Sequence, residues 1–160
     1  MTAENSRPRR LGRLETIFVD SPIYFVTTCT DGRRKILANE RIHKSFMEFA
    51  IHGPGFGAWV GKYVLMPDHL HAFVALDDEK ITLANWMKSL KNSLSKTLRA
   101  RNVPASHFQK AFFDHVLRNS ESYSEKWQYV CENPVRAGLV RRAEDWPFQG
   151  EFFQLEYRPD

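Results

Sequence analysis

Apolar positions along the chain alternate between a two-residue and a three-to-four-residue period, and the switches mark the elements. After Pro22 the run IYFVTTCT is aromatic and β-branched, which predicts a strand that ends at the turn residues Asp31-Gly32. From Asn39 to His52 the residues Ile42, Phe46, Phe49 and Ala50 recur at helical spacing. Asn39 can cap that helix and Gly53-Pro54 ends it. FGAWVGKYVLM and HLHAFVAL, joined by Met66-Pro67-Asp68, read as a β-hairpin. Ile81 to Ala100 is a second helix whose apolar stripe is Leu83, Trp86, Met87, Leu90, Leu94 and Leu98. AFFDHVLR reads as a short strand, and Glu121 to Glu132 as a third helix stopped by Asn133-Pro134. The tail from Arg141 contains DWPF and either packs over the core or pairs with a neighbour.

The resulting order is β-α-β-β-α-β-α. Its first six elements predict an α+β, ferredoxin-like split βαβ domain: an antiparallel sheet with helices on one face, plus an extra C-terminal helix that carries Tyr129. No repeat or linker divides the chain, so residues 1–160 read as a single domain, with 1–15 as a flexible basic arm. Hydrophobic and charged fractions of 42% and 26% are those of a soluble globular protein. Cys29 and Cys131 are far apart and form no CxxC pair, which argues against a disulfide scaffold or a zinc knuckle. The start, MTAENSRPRRLGRLE, has no apolar signal core, and no apolar run is long enough to span a bilayer. The expectation is a cytoplasmic protein with no membrane partner. A net charge of +4 permits a nucleic-acid partner without demanding one. Two places could meet phosphates: the arm, with Arg7, Arg9, Arg10 and Arg13, and the outer face of the second helix, with Lys88 and Lys91 among its basic residues. Solubility alone explains both equally simply.

The chemistry-bearing residues begin with MPDHLHAFV. Side chains alternate in a strand, so His69, His71 and Phe73 share one face while Leu70, Ala72 and Val74 share the other. Two adjacent imidazoles can occupy neighbouring positions on a metal. A bare His-x-His also occurs in many proteins that bind none. In SYSEKWQYVCENP, Tyr123, Trp127 and Val130 form the core stripe, and Tyr129 falls roughly 120° from it. Asn133 lies one helical turn beyond Tyr129. Separately, an edge tyrosine and a C-terminal cap account for the pair. Together, a phenol and a carboxamide suggest a nucleophile that attacks a phosphodiester and a ligand for the cation that would assist it. Two imidazoles and one amide oxygen suit Mn²⁺ and tolerate Mg²⁺.

The string YVLMPDHLHAFV resembles the histidine–hydrophobe–histidine motif of single-tyrosine HUH transposases. FQKAFFDHVLRNSESYSEKWQYVCENPVRAGLV resembles the closing block of the same family, and AEDWPFQGEF its tail. The likeness is greatest to the REP-associated tyrosine transposases and runs from the first strand to the end of the chain. It implies that His69, His71 and Asn133 hold a divalent metal, Mg²⁺ or Mn²⁺, and that Tyr129 is the nucleophile. It implies a nickase and strand transferase acting on single-stranded hairpin DNA of the REP or palindromic kind, leaving a 5′-phosphotyrosine and a free 3′-OH. It also implies that the arm reads flanking nucleotides, and that the protein works as a monomer, although swapped dimers occur among insertion-sequence relatives. A derived protein that binds DNA or RNA hairpins without cutting is the alternative. Asp68, at a position where relatives vary, is expected to matter little, and His115 to support the fold. The hairpin sequence and the biological role of cleavage are not readable here.

Overall fold

The computed structural model describes residues 14–20 and 22–158. Strand β1 (Thr16–Val19) is followed by β2 (Ile23–Cys29), helix α1 (Glu40–His52), and the hairpin β3 (Ala58–Leu65) and β4 (His69–Leu76). Then come α2 (Leu83–Ala100), β5 (Phe113–Leu117), α3 (Ser120–Val130), the short helix α4 (Asn133–Arg136), β6 (Gln149–Glu151) and β7 (Gln154–Tyr157). The expected order from β2 to α3 is borne out. Asn39 caps α1 through its side chain, which accepts from the Ile42 N–H.

The main sheet has the strand order β5-β2-β4-β3-β6, with every pair antiparallel. β2 and β3 flank β4, so the connection through α1 skips a strand, as the split βαβ pattern requires. Each face of the sheet is covered, and β4 serves both. Leu70, Ala72 and Val74 point into a core shared with Ile42 and Phe46 of α1 and with Trp86, Leu90 and Leu94 of α2. Phe73 and Ala75 point the other way, into a second core with Tyr123 and Val130 of α3 and with Trp146 and Leu155 of the tail. The first two helices therefore share one face, and the extra C-terminal helix lies on the face that carries the imidazoles.

The tail pairs within its own chain in two places that the sequence pattern does not foretell. β6 adds an edge strand beside β3, and β7 runs parallel to β1 as a separate ribbon. The Trp146 indole N–H donates to the Leu65 carbonyl at 3.0 Å, fastening the tail over the second core. Tyr157 accepts from the Ile23 N–H and donates to the Leu117 carbonyl, tying the ribbon to the sheet. Leu14 and Glu15, which the sequence places in the arm, precede β1, and the Glu15 carbonyl accepts from the Gln154 N–H. Arg7, Arg9, Arg10 and Arg13 lie outside the described residues. Among the described residues no helix is long and apolar enough to cross a membrane.

The β3–β4 register slips between Val60 and Tyr63, the signature of a bulge. There the Tyr123 hydroxyl accepts from the Lys62 N–H at 3.2 Å. Gly61 leaves room for it: a Cβ at that position would lie 2.7 Å from the hydroxyl and 2.9 Å from the Leu155 Cδ1. Gly61→Ala is therefore expected to destabilise the fold by about 1–3 kcal/mol, the usual cost of overpacking. Urea unfolding should show a lower midpoint, and an unchanged midpoint would mean that α3 is not seated through this contact.

Candidate active site

His69 and His71 stand side by side on β4, with ring centroids 4.8 Å apart and planes at 78°. Each ring is fixed through its Nδ1. That atom of His69 lies 2.8 Å from the Asp68 carboxylate, and that of His71 lies 2.7 Å from the Thr27 hydroxyl on the neighbouring strand. Strand register brings Thr27 there, because it pairs directly with His71. The Asp68 carboxylate accepts from the His69 Nδ1–H, which leaves the His69 Nε2 lone pair free; at His71 the Nδ1–H tautomer, donating to Thr27, does the same, and neither Nε2 has a hydrogen-bond partner among the described residues. Phe25 stacks on His71 from the adjacent strand, at 5.1 Å and 21°.

The Asp68 carboxylate also accepts from Arg33 at 3.0 Å, and Arg33 reaches the Cys29 sulfur at 2.8 Å. Burial pushes the Asp68 carboxyl up, but the bond and charge of His69, joined by Arg33, outweigh it and leave the group below its ordinary range. Asp68 is thus the residue that orients His69, a role the sequence reading missed. The available signal was its position one residue before a candidate ligand.

His71 titrates at about 3, held there first by burial and then by the positive charges of His69, Lys126, Arg136 and Arg33. It is neutral, and so able to donate a lone pair, across the physiological range. The same list of cations describes a basic surround to which α3 and the loop after β2 both contribute.

α3 crosses this face. Tyr123 and Trp127 pack on Phe73, at ring separations of 4.5 and 6.1 Å, and the Lys126 ammonium lies 4.8 Å over Phe25. Tyr123 is buried, and burial raises its phenol well above the ordinary value, so it is poorly suited to attack. Tyr129 projects from the same helix, is 64% exposed, and lies off the stripe that packs. α3 ends at Val130, and Asn133 opens the next short helix, so Asn133 starts a new turn where the sequence suggests a cap. Arg136 draws the two candidates together. Its guanidinium stacks 4.1 Å from the Tyr129 ring, and its Nη2 donates to the Tyr129 carbonyl at 2.7 Å and to the Asn133 Oδ1 at 2.5 Å.

The structure thus forms two pairs, the imidazoles on β4 and, at the end of α3, the phenol with its amide. No hydrogen bond joins the pairs among the described residues. Among the described residues no third His, Cys, Asp or Glu completes a metal cluster with the imidazoles. The imidazoles fit a divalent cation well, because their free nitrogens and fixed rings are what such a site needs. The Asn133 Oδ1 is engaged by Arg136. Of the basic helix residues, Lys88 is exposed on α2, across the sheet from the imidazoles. Lys91 donates to the carbonyls of Gln109 and Lys110, which gives it a structural task. His115 is exposed on the edge strand β5.

Residues 19–128 match the family model described as "Transposase IS200 like". This chain belongs to the IS200-like transposase family. The matched span includes the imidazole pair and stops one residue short of Tyr129. A REP-associated tyrosine transposase of Escherichia coli K12 is 26% identical over 89 residues, 56% of this chain and 52% of that protein. The alignment therefore spans about half the length of that relative. A Haemophilus influenzae protein, provisionally given the same name, is 22% identical over 144 residues, 82% of this chain and 80% of its own. Among solved structures, a REP-associated tyrosine transposase bound to a REP hairpin superposes with a TM-score of 0.67 at 20% identity. The match covers 87% of this chain and 82% of that one, and it shows that this IS200-like chain shares the fold.

The depressed His71 value has a consequence for stability. The unfolded chain takes up a proton at this side chain as pH falls through 6.5, whereas the folded chain does so only near 3. Stability from this group is therefore full above 6.5 and is lost as pH falls toward 3, at no more than about 1.4 kcal/mol per pH unit. His71→Gln, unfolded by urea in the presence of a chelator, should lose less stability than the parent between those limits. Parallel curves for the two chains would show that His71 is protonated normally.

Proposed function

We propose that the chain is a metal-dependent single-stranded DNA nickase and strand transferase that acts on hairpin DNA through Tyr129. The observation that carries this reading is the imidazole pair. Both rings are pinned through Nδ1 and present Nε2, on the sheet face that α3 crosses with its exposed tyrosine. Membership of a transposase family and a fold shared with a hairpin-bound relative support hairpin DNA as the substrate class.

His69 and His71 would hold the cation, with the Asn133 oxygen as third donor. A divalent ion held there would supply Lewis-acid activation of the scissile phosphate. The chain's own groups do the rest. Lys126, Arg136 and Arg33, the cations whose charge reaches His71, offer a basic seat for the DNA backbone. The Tyr129 oxygen gives up its proton and bonds to phosphorus. The bond from phosphorus to the 3′ oxygen breaks, and that oxygen takes up a proton. The strand is left as a 5′-phosphotyrosine and a free 3′-OH, which keeps the bond energy for rejoining. Exposure of Tyr129 suits attack on an external polymer, whereas the buried Tyr123 serves packing.

Incubation with Mn²⁺ and labelled single-stranded hairpins, drawn from palindromes that flank the gene, should give a covalent protein–DNA band on denaturing gels. Tyr129→Phe should lower its yield by about 10⁴-fold or more while leaving hairpin binding largely intact. Tyr123→Ser is unsuitable as a control because it removes packing, but Tyr123→Phe should keep the band. Persistent capture by Tyr129→Phe would reject the assignment. Hairpin binding with no capture in the parent chain would favour the non-cutting alternative.

A further inference from the structure

Arg136 occupies the two groups that the proposed chemistry needs. Its Nη2 holds the Asn133 Oδ1 at 2.5 Å, and its guanidinium carbon lies over the Tyr129 ring, 4.1 Å from the centroid. A divalent ion on that same amide oxygen would sit close to a guanidinium that cannot lose its charge, and like charges at such separations repel. An amide oxygen is also a weak claim on a guanidinium. A phosphodiester offers two anionic oxygens in the fork geometry that arginine matches, and such charge-assisted pairs are about twice as strong as neutral ones.

We propose that Arg136 is a phosphate-responsive latch, a positioning residue that keeps the Asn133 oxygen from the metal until a backbone phosphate of single-stranded DNA takes over its guanidinium. This rests on the reading of the site given above. Exchange of partners then frees Asn133 to complete the ligand set in the same event that seats the scissile phosphate beside Tyr129. Metal and DNA would each bind more tightly in the presence of the other, because linkage is reciprocal. The competing role for Arg136 is a simple helix cap, since it also donates to the Tyr129 carbonyl in the last turn of α3. Loss of a cap lowers stability and gives no reason for metal affinity to rise.

The test measures Mn²⁺ affinity of the full chain by calorimetry, in a Tyr129→Phe background that retains the ring but cannot be captured. Affinity is compared with and without a single-stranded hairpin oligonucleotide carrying unpaired flanks. DNA should tighten Mn²⁺ by about fivefold or more, the low end of ordinary coupling. Arg136→Ala should tighten Mn²⁺ in the absence of DNA and lose most of the DNA-dependent gain. Asn133→Ala should lose that gain without the initial tightening. The latch is overturned if DNA leaves Mn²⁺ affinity unchanged in the parent, a result that needs no arginine variant to fold. It is also overturned if Arg136→Ala binds Mn²⁺ no better than the parent, or if Asn133→Ala keeps the full gain. His69→Ala with His71→Ala separates the two levels. Mn²⁺ binding that survives this pair rejects the metal site itself, and the latch with it. Mn²⁺ binding lost in the pair, with coupling unaltered in Arg136→Ala, rejects the latch alone.

Discussion

The contact between Tyr123 and Phe73 decides where α3 lies. The rings meet at 4.5 Å, and the Tyr123 hydroxyl closes the arrangement by accepting the Lys62 N–H at the β3 bulge. Phe73 belongs to the same strand face as His69 and His71, because side chains two residues apart share a face. A helix that buries its stripe on Phe73 therefore lies against the sheet face that carries the imidazoles. The site is thus a by-product of packing a second apolar core, and the burial of Tyr123, Val130 and Leu155 supplies the free energy that holds it.

Within that frame the polar groups are fixed one at a time. Thr27 and Asp68 hold the rings by the nitrogen that faces away from the open side, and strand pairing and a tight turn put each of them in reach. Burial, and after it the surrounding cations, keep His71 uncharged, which is the state a ligand needs. Lys126, Arg136 and Arg33, whose charges add to the effect of burial on His71, also suit a phosphate. Arg136 belongs to both descriptions. It contributes to that field and at the same time clasps the amide and the phenol.

Much of the fold was legible in advance, because the main sheet and the helices over it come from strongly patterned segments. Asn39, Gly53 and the stripes of α1 and α2 announced their helices through caps and spacing, and HLHAFVAL showed its two faces by alternation. The tail was opaque for a physical reason. β6 has three residues and β7 four, too short to carry a period, and each exists because a sheet edge or a partner strand offers it hydrogen bonds. Asn133-Pro134 read as a stop, yet the proline sits where it can open the next helical turn, so the chain bends and continues.

The sequence alone determined which side chains share a strand face, which helix positions the core does not require, and therefore which four polar residues merit attention together. These follow from the fixed periods of strand and helix, which need no knowledge of neighbours. Only the tertiary structure decided that α3 lies on the imidazole face, that Asp68 and Thr27 select the free ring nitrogen, and that Arg136 holds the oxygen of Asn133. Those outcomes depend on contacts between residues far apart in the chain or on side-chain directions at a bend, and no local pattern encodes either.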